Sequence, residues 1–297
     1  MSNDKNPEKL ESELDGVIIE LSYFILPLDL RLNLLAFNIR FAIIGSVRTE
    51  GIVGADNKGM PRQKDHGYIK GLFVLDEFRR KGIASSLLEE ATEYLKSKNK
   101  RIVRILEYTG NYFFPGVDTR YESAIKFFEN KGFGRDHTVD DVDLYITHFE
   151  PNDYHQNAKR RASKIGVSVI DYDPSMLDKM SKFVEKLDEG LKKSWFPKGW
   201  EEQFKGKHGK IAAVKDDEIV GWASFNTNGE IGWFGPTAVL EDMRGKGIGS
   251  WVLLESVLRM KNDGANRVIA SWANTPFYIA NGWKICKQYV VFEKSIF

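Results

Sequence analysis

Cysteine is almost absent: Cys286 stands alone in 297 residues. One thiol closes no intramolecular disulfide and supplies no cysteine cluster for a structural zinc, so a reducing compartment is expected, with the cytoplasm as default and no metal. Excess charge is missing too. The 43 Lys and Arg residues against 42 Asp and Glu leave a formal +1, which gives no global field to recruit nucleic acid or an anionic membrane. Long apolar runs are lacking. The most apolar stretch, roughly Val17 to Gly45, is broken by Glu20, Asp29, Arg31 and Arg40 and falls short of a bilayer span. MSNDKNPEKLESELDG at the amino end is polar and acidic, unlike the basic start and apolar centre of a signal peptide, and reads as a frayed tail. The expectation is a soluble protein with neither membrane nor nucleic acid as partner.

What is present is material for more than one core, and two domains of about 150 residues are the natural division. A self-comparison supports it. Val74-Leu-Asp-Glu-Phe-Arg79-Arg-Lys-Gly82-Ile-Ala84 aligns without gaps on Val239-Leu-Glu-Asp-Met-Arg244-Gly-Lys-Gly247-Ile-Gly249. Each copy follows a strand-like segment, GYIKGLFV or EIGWFGPTAV, and precedes an apolar stripe at three-to-four spacing. The stripes are Ile83, Leu87, Leu88, Ala91 and Leu95, then Ile248, Val252, Leu253, Val257 and Leu258. A β-branched strand (RIVRILEY; RVIASW) and a short aromatic helix ending at glycine (FFENKGF; FYIANGW) follow in both. PNDYHQNAKRRASKIG between the halves is charged, has no apolar period and suits an exposed linker whose Lys159, Arg160, Arg161 and Lys164 are simply solvated. This gives residues 1–150, a linker 151–165, and 166–297. In the second half VSVIDY reads as a strand, Met176 to Leu191 as an amphipathic helix, and KIAAVKDDEIVGWASFN as a hairpin turning at Lys215 to Asp217. Alternating β and α elements predict an α/β fold with a mixed sheet in each half.

A glycine-bearing turn from strand to helix directs unsatisfied backbone N–H groups at whatever lies before the helix, and the helix dipole favours an anion there. Gly82 and Gly247 let the backbone approach a pyrophosphate, Ala84 and Gly249 keep the helix start small, and Arg79, Lys81, Arg244 and Lys246 add positive charge. An ordinary basic turn is the plainer explanation of one copy; two copies in matched context weigh against it. The Walker pattern and the dinucleotide Gly-x-Gly-x-x-Gly fingerprint are both absent.

Both loops resemble motif A, Arg/Gln-x-x-Gly-x-Gly/Ala, of the GNAT superfamily of acyl-CoA-dependent N-acyltransferases. The second half is similar almost throughout, the first from about Arg40 to Tyr145. The resemblance implies two tandem GNAT-like domains, each a mixed, mostly antiparallel sheet flanked by helices, with acetyl-CoA as co-substrate. It places the cofactor on Val239, Leu240, Arg244, Gly245, Lys246, Gly247, Ile248 and Gly249, and on Arg79, Arg80, Lys81, Gly82, Ile83 and Ala84.

In that superfamily a strand amide polarises the thioester carbonyl and a helix tyrosine protonates the departing sulfur. The amide would belong to the Val239 to Leu240 region and the acid would be Tyr278, four residues before Gly282; Phe128 holds the matching place in the first half and cannot donate a proton. The resemblance thus points to a catalytic second half and a degenerate first. Tyr108, Tyr112 and Tyr121 lie in the first half's insertion, where one could replace the missing acid, though core or lid packing explains them better. Glu230 is the candidate base, His66 its counterpart in the first half; a solvent-facing strand-end residue is the plain alternative for each. All seven tryptophans lie in the second half, Trp195 and Trp200 where an acceptor cleft would form. The acceptor is expected to be a small-molecule or peptide amine, and the protein a monomer or homodimer. A non-catalytic acyl-CoA-binding or interaction protein built of two such halves is the rival reading.

Overall fold

The computed structural model describes residues 51–56, 63–106, 115–196, 198–206 and 209–297. Along the first stretch run β1 (Gly51–Asp56), β2 (His66–Val74), α1 (Ile83–Ser97), β3 (Ile102–Ile105), β4 (Val117–Asp118), α2 (Glu122–Asn130) and β5 (Gly134–Tyr145). Then come α3 (Asp153–Lys164), β6 (Ser168–Asp171), α4 (Leu177–Glu185), α5 (Glu189–Trp195), β7 (Lys210–Lys215), β8 (Glu218–Asn228) and β9 (Ile231–Val239). The chain closes with α6 (Ile248–Asn262), β10 (Arg267–Ala270), α7 (Thr275–Ala280) and β11 (Lys284–Ser295). No helix among the described residues is long and apolar enough to cross a membrane.

Packing separates two units, one ending at Thr138 but regaining Tyr289–Phe297, the other spanning Val139–Gln288. The division therefore falls inside β5 and inside β11, and the carboxy-terminal residues complete the first unit. Phe292 and Val290 are buried there, with Phe292 5.8 Å from the Phe128 ring. In this unit β2 pairs β1 antiparallel and β3 parallel, and β11 pairs antiparallel with both β3 and β4. In the second unit the strands lie in the order β5, β10, β9, β8, β7, β6. Only β9 and β10 run parallel there. Each sheet is mixed and mostly antiparallel, as expected.

Of the predicted stripe of α1, Leu87, Leu88, Ala91 and Leu95 are buried and Ile83, at the helix start, is half-buried. In α6 the stripe is buried except for the half-buried Leu258, but so are Ser250, Trp251, Leu254, Ser256 and Met260. A helix covered on more than one side needs a second neighbour, and that neighbour is α3. Residues read as an exposed linker thus form a helix, capped by Asn152, whose Oδ1 accepts from the His155 N–H while His155 Nδ1 accepts from the Asn152 N–H. Its buried stripe is His155, Ala158 and Ala162, small or polar residues that carry almost no hydrophobic signal. The single helix expected over Met176 to Leu191 is divided, with Lys186, Leu187 and Asp188 between α4 and α5 and the Asp188 carboxylate capping the latter. The hairpin turns as predicted, with Asp216 and Asp217 at positive φ, the backbone a two-residue turn between twisted strands requires.

Candidate active site

The two loops have the same backbone. Arg79 and Arg244 are extended at φ −65; Arg80 and Gly245 follow at φ 63 and 74, then Gly82 and Gly247 at φ 85 and 89. Alternating left-handed residues turn successive N–H groups inward and form a concave anion nest at the helix start. The motif arginines anchor this shape: Arg79 Nε donates to the Val74 carbonyl at 3.1 Å and Arg244 Nε to the Val239 carbonyl at 3.2 Å. Lys246 Nζ donates back to the Asp242 carbonyl at 2.7 Å, and Lys81 sits 5.1 Å from the Phe78 ring centroid.

Below each loop a parallel strand pair comes apart. β10 follows β9 only through Ile231, Gly232 and Trp233, after which β9 continues beside β8 to Val239 with a bulge opposite Ala223 to Phe225. In the first unit β3 follows β2 from His66 to Ile69, and β2 runs on to Val74 with a bulge facing Gly54 and Ala55. Leu106 and Trp272, just past the ends of β3 and β10, take positive φ, a strained backbone for bulky side chains that turns the chain away from its partner. Among the described residues the result is a V-shaped opening with unpaired peptide edges.

Strand alternation decides which amides face that opening. Leu240 N–H donates to the Val220 carbonyl at 3.0 Å, so this end of β9 directs every second N–H to β8 and the intervening ones, on Val239 and Thr237, to the open edge. Of the pair singled out by sequence, Val239 faces the V, whereas Leu240 has its N–H in the sheet. Thr237 was missed, because its direction depends on register.

Tyr278 lies against the beginning of the V. Its ring is 6.2 Å from Phe234, the first β9 residue past the last β10 pair, 5.1 Å from Phe277 and 5.1 Å from Trp283. It is buried. A Cβ added at Gly249 would come 3.3 Å from the Phe277 ring and 3.7 Å from Val239, so loop, strand end and α7 converge. In the first unit Phe128 stacks on Phe127, Phe133 and Phe292 as core.

Other candidates stay apart. Glu230 is exposed, and its carbonyl accepts from Asn266 and Arg267 N–H. It sits just before the far end of β9, about 30 Å of strand from Val239. His66 begins β2 in the same way, its Nδ1 2.8 Å from Asp65. Tyr121 is 63% exposed before α2, and Tyr108 and Tyr112 lie outside the described residues. Trp200 is core, packed on Phe196 and Phe204. Beside the open end of β10 the structure adds a polar wall absent from the sequence reading. Ser271 hydrogen-bonds Asp141 and Thr275 donates to Asp140 at 2.6 Å, while at the other, paired end of β10 Arg267 pairs with the buried Asp143 at 2.6 Å. Burial, reinforced by Asp143 and Asp141, pushes the Cys286 thiol up from its usual range. No cluster of His, Cys, Asp and Glu able to hold a metal occurs among the described residues.

Two anion nests above two splayed parallel pairs are matched by the family comparison, in which the acetyltransferase (GNAT) family model covers residues 39–133 and 178–280. The chain belongs to the GNAT acetyltransferase family. Solved structures agree in fold at low identity. A GCN5-related glucosamine N-acetyltransferase region of a fungal multi-domain GH3 β-N-acetylglucosaminidase superposes with a TM-score of 0.71 at 20% identity over 82% of this chain. This chain spans 31% of that protein's length. A GCN5-related N-acetyltransferase from Sphaerobacter thermophilus gives 0.62 at 17% identity, covering 83% of this chain and 76% of its own. A tandem GNAT protein from the clavulanic acid biosynthesis pathway gives 0.57 at 15%, covering 83% and 79%. No curated protein matches the sequence. Tandem GNAT architecture is therefore a property of this chain.

Proposed function

We propose that the protein transfers an acetyl group from acetyl-CoA to an amine of a small molecule or peptide, with the chemistry in the second unit. The observation that supports this reading is the convergence of nest, open β9 edge and α7, the helix that carries Tyr278, where Phe277 meets Gly249 and Val239. Arg244 to Gly249 would hold the pyrophosphate through backbone N–H groups. Acetyl-CoA supplies an activated thioester. The Thr237 and Val239 N–H groups, fixed before any substrate arrives, stabilise negative charge developing on the acyl oxygen without reorganisation. As the amine nitrogen bonds to the acyl carbon and releases a proton to solvent, the carbon–sulfur bond breaks and the Tyr278 hydroxyl donates a proton to the sulfur, to be reprotonated from solvent afterwards. Phe128 lacks that proton, which favours the second unit over the first.

Acetyl-CoA titrated calorimetrically, followed by amine-dependent thiol release, tests this. Binding with turnover that collapses in Tyr278→Phe is expected. Tight binding without turnover on any amine would leave a non-catalytic acyl-CoA-binding protein in its place.

A further inference from the structure

The sheet of the second unit has two faces, and α6, α7 and Tyr278 all lie on one of them. On that side a Cβ at Gly232 would come 2.7 Å from the Met260 sulfur of α6. The opposite face is open around β9. Its rows follow from register, because directly paired residues point the same way. Asn226, Trp233, Ile269 and Asp143 form one row across β8, β9, β10 and β5, and the next row runs from Asn228 to Arg267. Trp233 is 45% exposed at the centre of this face, and Asn226 and Asn228 are exposed beside it.

Trp233 also marks the apex of the V. It is the last β9 residue paired with β10, and its neighbour Phe234 turns to the other side, against Tyr278. An acyl carbon whose oxygen rests on the Thr237 and Val239 N–H groups is attacked from outside the thioester plane. With cofactor and Tyr278 on the α6 and α7 side, the amine arrives across the Trp233 face. The chemistry of that face selects the kind of amine. A flat, exposed indole takes the apolar side of a ring. Asn226 and Asn228 each offer an amide oxygen and an NH2 group, which hydroxyls satisfy and methylenes do not. Charge at the β5 margin is small: Asp143 pairs with Arg267, and Asp141 follows two residues earlier on the same strand. Around Cys286, whose thiol is raised first by burial, Asp143 and Asp141 outweigh Arg267. Two carboxylates against one guanidinium suit a single ammonium, and a second cation would meet Arg267.

We infer that Trp233 is the stacking platform for the acceptor and that the acceptor is an amino sugar. The ring lies on the indole, its hydroxyls bond Asn226 and Asn228, and its one amine turns toward the V. This rests on reading the second unit as the acetyltransferase. Trp233 is then a specificity residue: it holds the body of the acceptor and takes no part in the proton transfers.

Acetyl transfer to glucosamine, cyclohexylamine and spermidine, compared at equal free-amine concentration, tests the platform. The indole N–H resonance of Trp233, assigned through Trp233→Phe, reports binding without turnover. Wild type is expected to acetylate glucosamine with a kcat/KM about tenfold above that of cyclohexylamine, a six-membered ring amine without hydroxyls, and glucosamine should shift the indole resonance. Trp233→Ala should raise KM for glucosamine about tenfold while kcat and acetyl-CoA affinity hold, and Trp233→Tyr should restore it. Preference for cyclohexylamine or spermidine would overturn the sugar. An unmoved KM in Trp233→Ala would overturn the platform. If no amine is turned over and glucosamine still shifts the indole, the platform stands and the acetyltransferase reading fails; with neither turnover nor shift, both fail.

Discussion

Replacing Gly247 by alanine should damage the second unit far more than replacing Gly82 damages the first. Both glycines are left-handed, at φ 89 and 85, so each alanine costs about 1 kcal/mol from backbone conformation alone. Only Gly247 also meets a neighbour, the Ala158 carbonyl 2.3 Å from the new methyl. Backbone on both sides cannot yield as a side-chain tip would, and such overpacking adds about 1–3 kcal/mol. The total is about 2–4 kcal/mol for Gly247→Ala against about 1 kcal/mol for Gly82→Ala. The assay is provided by composition. Trp195, Trp200, Trp222, Trp233, Trp251, Trp272 and Trp283 all fall within Val139–Gln288, so tryptophan fluorescence in urea reports the second unit by itself. With a slope of about 2 kcal/mol per molar for a unit of this size, its midpoint should fall by about 1–2 M in Gly247→Ala and stay in place in Gly82→Ala. Equal or absent shifts would refute the contact between α3 and the second loop.

Three further outcomes follow from the same geometry. Tyr278→Phe should lower acetyl transfer about 100-fold while leaving acetyl-CoA affinity unchanged by calorimetry, because the ring and its packing on Phe234, Phe277 and Trp283 survive; a parallel loss of binding would mean a structural role. Burial holds the His155 imidazole below its usual 6.5, so its contribution to stability is complete above that value and is lost as pH falls through the lower folded one. Hydrogen exchange of α3 should accelerate in that acidic window in wild type and lose the dependence in His155→Ala. Arg267→Met leaves the Asp143 carboxylate, 9% exposed, without its partner and should cost about 2 kcal/mol, read as a lower fluorescence midpoint; an unchanged midpoint would show the pair to be dispensable.

Much of this site is legible in the sequence because its signals are local. The loop is set by alternating positive φ, and Gly82, Gly245 and Gly247 announce it; Arg80 adopts the same conformation without a glycine to mark it. The stripe Leu87, Leu88, Ala91 and Leu95 is the buried face of α1 because helical period alone selects it. What stayed hidden depends on partners distant in the chain. Thr237 and Leu240 differ only in which sheet edge their N–H groups face, which register with β8 decides. The stripe of α3 is too polar to register as apolar periodicity, yet alanine suits it, since small residues let one helix backbone rest on another. The return of Tyr289–Phe297 to the first unit leaves no sequence mark, because the continuous apolar run Tyr289, Val290, Val291 and Phe292, buried on both faces, suits either sheet.

The central claim, acetyl transfer to an amine by the second unit, is tested most directly by incubating the protein with isotopically labelled acetyl-CoA and a metabolite extract, then identifying labelled products by mass spectrometry. The account predicts a labelled N-acetyl product that appears with wild type and disappears with Tyr278→Phe. Full product formation by Tyr278→Phe, or acetyl-CoA binding with no labelled product from wild type, would contradict it.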